Sequence, residues 1–278
     1  MKRAALAILC LWSAIGSAGE TGCFRIFDAT GFKLKPDLKQ YGIETATVIY
    51  VHLHYWPDPA RRQELPERSL VDLTVKQLLA RDQGSPLLIT DLEHWPNKGS
   101  DAVVAESVRK YITLAGWTQA SAGGSAVGYY GVPPLRDYWR SLSDPTSKEY
   151  RAWQAENDRF QALADAVDVL TPSLYTFYED EAGWERSTVE NIREARRLAP
   201  GKPVYPFIWP QYHESNSKLR GQYLPASYWL KQLQILEANV EGVILWYPPG
   251  NNWNGMAEWW LATRAFIESS SRVCRNKQ

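Results

Sequence analysis

The sequence carries no excess of charge: among its 278 residues, 31 Lys and Arg stand against 31 Asp and Glu. A neutral chain lacks the long-range positive field that draws proteins onto nucleic-acid backbones or anionic membranes, so neither is an expected partner. Cysteine is scarce, at three residues, and no Asn-x-Ser/Thr sequon occurs. There is no G-x-S-x-G nucleophile motif, no phosphate-cradling loop and no dinucleotide-type glycine loop. Repeats and low-complexity tracts are missing as well. The apolar run from Ala4 to Ala14 is shorter than the roughly 20 residues of a membrane span. Lys2 and Arg3 precede it and Gly16-Ser17-Ala18 follows, the pattern of a cleavable signal peptide over residues 1–18. The expectation is a secreted or periplasmic protein, with 19–278 as a single domain and no membrane span in the mature chain. An uncleaved anchor is the alternative.

Removal of that segment leaves Cys23 and Cys274 at opposite ends of the chain. In an oxidising compartment a bond between them would tie the first strand to the last helix, as a closed barrel allows; two free thiols are the other reading. What the sequence has in abundance is tryptophan, 13 residues in a chain of ordinary 45% hydrophobicity. Indole is costly to bury without a partner for its N–H, so a chain rich in it often turns aromatic faces to a ligand.

Short, mostly apolar β-rich runs at 24–27, 47–53, 87–91, 126–131, 168–172, 204–209 and 242–247 alternate with helix-period segments. The latter lie near 67–81, 102–116, 148–165, 187–199, 227–239 and 256–269, and between Gly31 and Glu44 any helix is short or absent. Thr146-x-x-Glu149 and Ser187-x-x-Glu190 have the form of capping boxes. Apolar strands joined by crossover helices imply a parallel sheet covered on both faces. The pattern predicts the α/β class, as a distorted TIM-like (β/α) barrel with about seven parallel strands. Active sites of such barrels lie at the C-terminal ends of the strands.

Asp91 and Glu93 are the sharpest feature at those ends. Positions i and i+2 of a strand face the same way, so both carboxyls crowd one side of the barrel mouth. Two neighbouring carboxylates do not ionise independently, and one keeps its proton to higher pH. Conventional retaining glycosidases place their carboxyls about 5–5.5 Å apart on either side of the bond. A pair on one strand approaches from one side, which suits substrate-assisted retention. In that chemistry Glu93 protonates the leaving group while Asp91 orients a 2-acetamido group whose carbonyl attacks the anomeric carbon. His52 and His54 form an H-x-H that in a strand is reminiscent of metal-dependent hydrolases. No further metal-ligand spacing accompanies it, so no metal or cofactor is expected.

Five segments, in order, resemble the hyaluronidase family of glycoside hydrolases. Ile89-Thr90-Asp91-Leu92-Glu93-His94-Trp95 is similar to its V-I-D-W-E-x-W signature, and Gly128-Tyr129-Tyr130-Gly131-Val132-Pro133 to its G-[FY]-Y-x-F-P. Leu170-Thr171-Pro172-Ser173-Leu174-Tyr175 resembles L-[YF]-P-S-I-Y. The stretch from Val204 to Tyr212 resembles the P-V-[LY]-P-Y…Y segment, and 242–246 the G-V-V-L-W strand. The resemblance implies retaining hydrolysis of β-linked N-acetylhexosamine units with Glu93 as acid/base and Asp91 steering the acetamido nitrogen. It implies further that Tyr212 hydrogen-bonds the acetamido group, Tyr175 lines the cleavage subsite and Trp246 walls the acetamido pocket. A disulfide joining the barrel ends, here Cys23 to Cys274, is implied too.

Tyr129, Trp95 and Trp209 are further expected sugar contacts from their places at strand ends. The chain departs from the family pattern at Leu92, His94 and Pro96, and lacks the cysteine after the G-Y-Y-x-x-P motif. The expected partner is a polysaccharide or glycosaminoglycan-like substrate. For a polyanion such as hyaluronan, Arg61, Arg62, Arg136 and Lys218 are the cations expected to reach the cleft. Two other readings stand beside the glycosidase: a carbohydrate-binding barrel without catalysis, and a different barrel hydrolase, either metal-dependent or acting on another sugar.

Overall fold

The computed structural model describes residues 22–274; the expected signal peptide lies outside them. Six parallel strands form the sheet: β1 (Arg25–Thr30), β2 (Ile43–Tyr50), β3 (Leu87–Asp91), β4 (Ala126–Tyr129), β5 (Phe207–Ile208) and β6 (Gly242–Tyr247), in the order β4-β3-β2-β1-β6-β5. The helices around it are α1 (Val51–His54), α2 (Arg68–Arg81), α3 (Asp101–Ser121), α4 (Tyr138–Ser141), α5 (Lys148–Asp158), α6 (Gln161–Ala166), α7 (Glu181–Leu198), α8 (Ala226–Asn239) and α9 (Glu258–Ser269). The α/β barrel reading holds, with six strands instead of seven.

The seventh position is filled by the segment 168–176, which makes single bridges in place of a ladder. Tyr130 pairs with Thr171 on one side, and Leu170 with Val204 and Ser173 with Phe207 on the other. Backbone bonds from Asp168 N to Val127 O and from Phe207 N to Pro172 O link it to both neighbours, closing the ring. Pro172, Pro203 and Pro206 have no N–H to give, which explains why neither this segment nor most of 204–209 forms a regular strand.

Strand alternation sorts the apolar side chains into three clusters. Phe27, Ala46, Leu87, Ile89, Val169, Phe207 and Ile244 fill the barrel interior. Outward residues of β2 to β4 pack with Val71, Val108, Leu114 and Leu163 of α2, α3 and α6. Those of β5 and β6 pack with Ile192, Trp229, Leu233, Trp259 and Phe266 of α7, α8 and α9. Much of the tryptophan is here, since Trp56, Trp95, Trp184, Trp229, Trp259 and Trp260 are buried in these outer clusters. Gly128 fits the interior because a Cβ there would come within 2.9 Å of Val169 and 3.3 Å of Ile89.

Local differences have identifiable causes. The expected strand 47–53 ends at Tyr50, and 51–54 is helical, so His52 and His54 are not paired on one strand face. Helix α7 starts at Glu181, where the Asp180 side chain accepts from Gly183 N; Ser187 lies mid-helix, buried against Ser141 Oγ at 2.9 Å. Ser147 replaces Thr146 as the cap of α5, accepting from Tyr150 N. The helix expected over 148–165 breaks between α5 and α6, where Phe160 turns into the core and buried Asn157 accepts from Leu135 N at 2.7 Å.

The ends of the described chain meet. Phe24 N donates to Arg272 O, Cys274 N donates to Phe24 O, and Cys23 is disulfide-bonded to Cys274 across 251 residues. A loop of that length places the chain-entropy contribution on the order of 5 kcal/mol, an upper figure because strain and residual structure reduce it. Cys23→Ser should therefore lower the unfolding free energy by about 2–5 kcal/mol in denaturant titrations. Reductant should destabilise the wild type to a similar extent and leave the variant unaffected.

Candidate active site

The C-terminal ends of the strands surround a cavity of about 280 Å³ lined by Val48, Asp91, Glu93, Tyr130, Arg136, Tyr175, Phe207, Trp209, His213, Glu214 and Trp246. Its floor is the apolar interior. β3 supplies Ile89 to that floor and Asp91 to the rim of it, with Glu93 two residues beyond the strand, so the same-face expectation for the two carboxyls matches their placement. A second recess of about 370 Å³ shares Glu93, Tyr130 and Arg136 with the first and continues past Asn97, Lys98 and Ser173. Glu93 thus stands where two hollows meet.

The wall beside Asp91 is aromatic. Tyr175 stacks on Trp246 at 5.5 Å between ring centres and meets Trp209 edge-on at 5.7 Å, while Trp209 and Trp246 are perpendicular at 5.1 Å. Trp246 Nε1 donates to the Tyr50 hydroxyl at 3.0 Å, and Tyr50 is the register partner of Asp91 on the neighbouring strand. Opposite, Arg136 donates to Ser173 Oγ at 3.2 Å and lies 4.3 Å above the Phe177 ring. Among the described residues Arg136 makes no ion pair. His213 packs on Phe177 at 4.4 Å, and its pKa is lowered by burial and then by Arg136, which favours the neutral ring.

Not every expected contact reaches the cavity. Tyr129 faces outward, buried, with its hydroxyl on Tyr111 O at 2.8 Å; the inward residue of that pair is Tyr130. Tyr212 likewise points into the outer core with Leu224 and Tyr228, and His213 takes the inward place. Trp95 follows a chain that has left the extended conformation and packs against Trp56 and Tyr111, its Nε1 on Arg62 O at 2.8 Å. Of the four cations expected at the cleft, Arg136 lines it, whereas Arg61 is paired with Glu64 on the surface. Tyr50 carried a readable signal, because it continues the alternate-residue series of Ala46 and Val48 on β2.

Burial, then the neighbouring Glu93, pushes the Asp91 carboxyl up to about 7. Ionisation is the costly state in a dry site beside a like charge. The folded pKa exceeds the unfolded value near 4, so the folded protein binds the extra proton between the two. Asp91 therefore costs nothing below about pH 4, and its burden grows until about pH 7, reaching on the order of 4 kcal/mol. Asp91→Asn should match the wild type in thermal stability near pH 4 and exceed it at pH 8, measured as melting temperature against pH.

The sequence matches no protein-family model, and no curated protein gives a significant match. Solved structures with a similar fold include bee venom hyaluronidase, at 15% identity and a TM-score of 0.59 over 88% of this chain and 97% of that one. Bee venom hyaluronidase in complex with a hyaluronic acid tetramer is also similar, at 15% identity and a TM-score of 0.58 over 88% and 96%. At this identity the likeness is one of fold, and it agrees with the distorted (β/α) barrel.

Proposed function

We propose that residues 19–278 form an exported glycoside hydrolase that cleaves β-linked N-acetylhexosamine polysaccharide with retention, by substrate assistance. The observation that carries this reading is the placement of Asp91 and Glu93 together on one side of a cavity walled by Tyr175, Trp209 and Trp246. A carboxyl pair on one side of the cavity suits a reaction in which a 2-acetamido group of the substrate serves as the nucleophile. A polysaccharide ligand is further supported by the similar fold of a hyaluronidase bound to a hyaluronic acid tetramer. Export is supported by the formed disulfide, which suits an oxidising compartment, together with the signal-like residues 1–18. No helix among the described residues is long and apolar enough to cross a membrane.

Before a sugar binds, Asp91 holds its proton into the neutral range. A sugar seated on the Trp246–Tyr175 stack presents its acetamido N–H to Asp91. A hydrogen bond to the carboxylate favours its charged form, so the proton passes to Glu93. Glu93 then protonates the departing glycosidic oxygen as that C–O bond breaks, while the acetamido carbonyl oxygen bonds to the anomeric carbon. Next, Glu93 takes a proton from water. The water oxygen bonds to the same carbon, the bond between that carbon and the acetamido carbonyl oxygen breaks, and two inversions give retention. Arg136 is one cation among Asp91, Glu93 and Glu214 in the cavity lining, so this cleft favours a polymer of low charge over hyaluronan.

Reducing-end release on hyaluronan, chondroitin, chitin oligomers, peptidoglycan glycan and neutral β-glucans tests the assignment. Products ending in N-acetylhexosamine are expected, and activity confined to sugars without a 2-acetamido group contradicts it. Glu93→Gln should lower kcat by about 10²–10⁴-fold with binding retained. The rate should also fall as pH rises above about 7, where Asp91 loses the proton it would pass on.

A further inference from the structure

Large aromatic side chains rarely stay exposed together without a use. Trp139 is 65% exposed and Tyr178 40%, and their rings meet at 5.3 Å. Tyr138 backs both, at 5.1 Å from Trp139 and 4.9 Å from Tyr178. Tyr138 and Trp139 open α4, which follows β4, and Tyr178 lies just after the bridging segment 168–176, on the barrel face that holds Asp91 and Glu93. A run of neighbouring side chains connects them to the cleft. Arg136 lines both hollows and covers Phe177, and Phe177 neighbours Tyr178 at 6.5 Å.

We propose that Trp139 and Tyr178 form an outlying sugar platform, on which a unit of the bound polymer stacks beyond the Glu93 cavity. The inference rests on the reading of the cleft as a glycan site and extends it to chain length: the protein binds long chains better than short ones. Pyranose rings present an axial C–H face that suits an exposed indole, and their hydroxyls remain in water.

The platform is held in place before any ligand arrives. Arg140, next to Trp139, binds Asp137 at 2.7 Å and both oxygens of Glu156 at 2.8 and 2.7 Å. Asp180 caps α7 through Gly183 N, and Gly183 lies so close to the Tyr138 hydroxyl that a Cβ would come within 2.2 Å of it. Rings fixed in this way lose little freedom on binding, which favours affinity.

Isothermal titration of the Glu93→Gln protein with the tetramer and octamer of β-1,4-linked N-acetylglucosamine, and with a β-glucan tetramer and octamer, provides the test. The octamer is expected to bind about tenfold more tightly than the tetramer, a difference of about 1.4 kcal/mol. Adding Trp139→Ala or Tyr178→Ala should remove that advantage, and Trp139→Phe should keep most of it. If only the glucans bind and the length effect still depends on Trp139, the platform stands while the acetamido reading fails. The proposal is overturned if Trp139→Ala weakens tetramer and octamer equally, if it changes only the oligomeric state, or if no oligomer binds.

Discussion

The closed ring of parallel strands imposes one constraint on everything above it: each strand has a single inward face, and alternate residues must take it. Phe27, Ala46, Leu87, Ile89, Val169, Phe207 and Ile244 meet that demand with apolar side chains and make a dry floor. Asp91 is the next inward residue of its strand, so its carboxyl stands at the edge of that floor. The electrostatics of the site follow from packing. Burial is the larger cause of the raised Asp91 pKa and Glu93 the smaller one.

Holding a carboxyl in this position opposes stability above neutral pH, and the structure shows what opposes that cost. Three separate apolar clusters pack the two sides of the sheet, and a covalent link joins the chain ends where strand and last helix meet. Tryptophan serves three purposes. Most of the buried indoles fill the helix–sheet layers, Trp209 and Trp246 wall the cavity, and Trp139 stands exposed on the surface at the start of α4. The neutrality of the chain has a local counterpart, because the cavity lining mixes Arg136 with Asp91, Glu93 and Glu214 instead of gathering cations.

The barrel was legible because its strands are short apolar runs spaced by helices, and Asp91 with Glu93 because their i, i+2 spacing is a property of extended chain. Tyr175, Trp209 and Trp246 could be placed at the cavity for the same reason. Where the sequence misled, alternation was ambiguous or had lapsed. Tyr129 and Tyr130 are chemically alike neighbours, and only the packing of Gly128 against Val169 and Ile89 settles which one faces inward. Tyr212 and His213 pose the same choice after Pro210. Trp95 lies past the end of β3, where period two no longer applies, and His52 and His54 sit in a helical turn. Prolines made the fifth and sixth expected strands look regular in pattern while removing the donors a ladder needs. The exposed pair of Trp139 and Tyr178 is 39 positions apart in sequence and becomes visible only once the loops converge.

The barrel interior and Glu93 together make Asp91 hold a proton into the neutral range, and a carboxyl titration reads that proton. With ¹³C-labelled aspartate, the Asp91 side-chain carbon should titrate with a midpoint near 7 in the wild type. In Glu93→Gln the midpoint should fall only part of the way toward the ordinary value near 4, because burial remains. A wild-type midpoint near 4 would mean that neither burial nor Glu93 raises the Asp91 pKa.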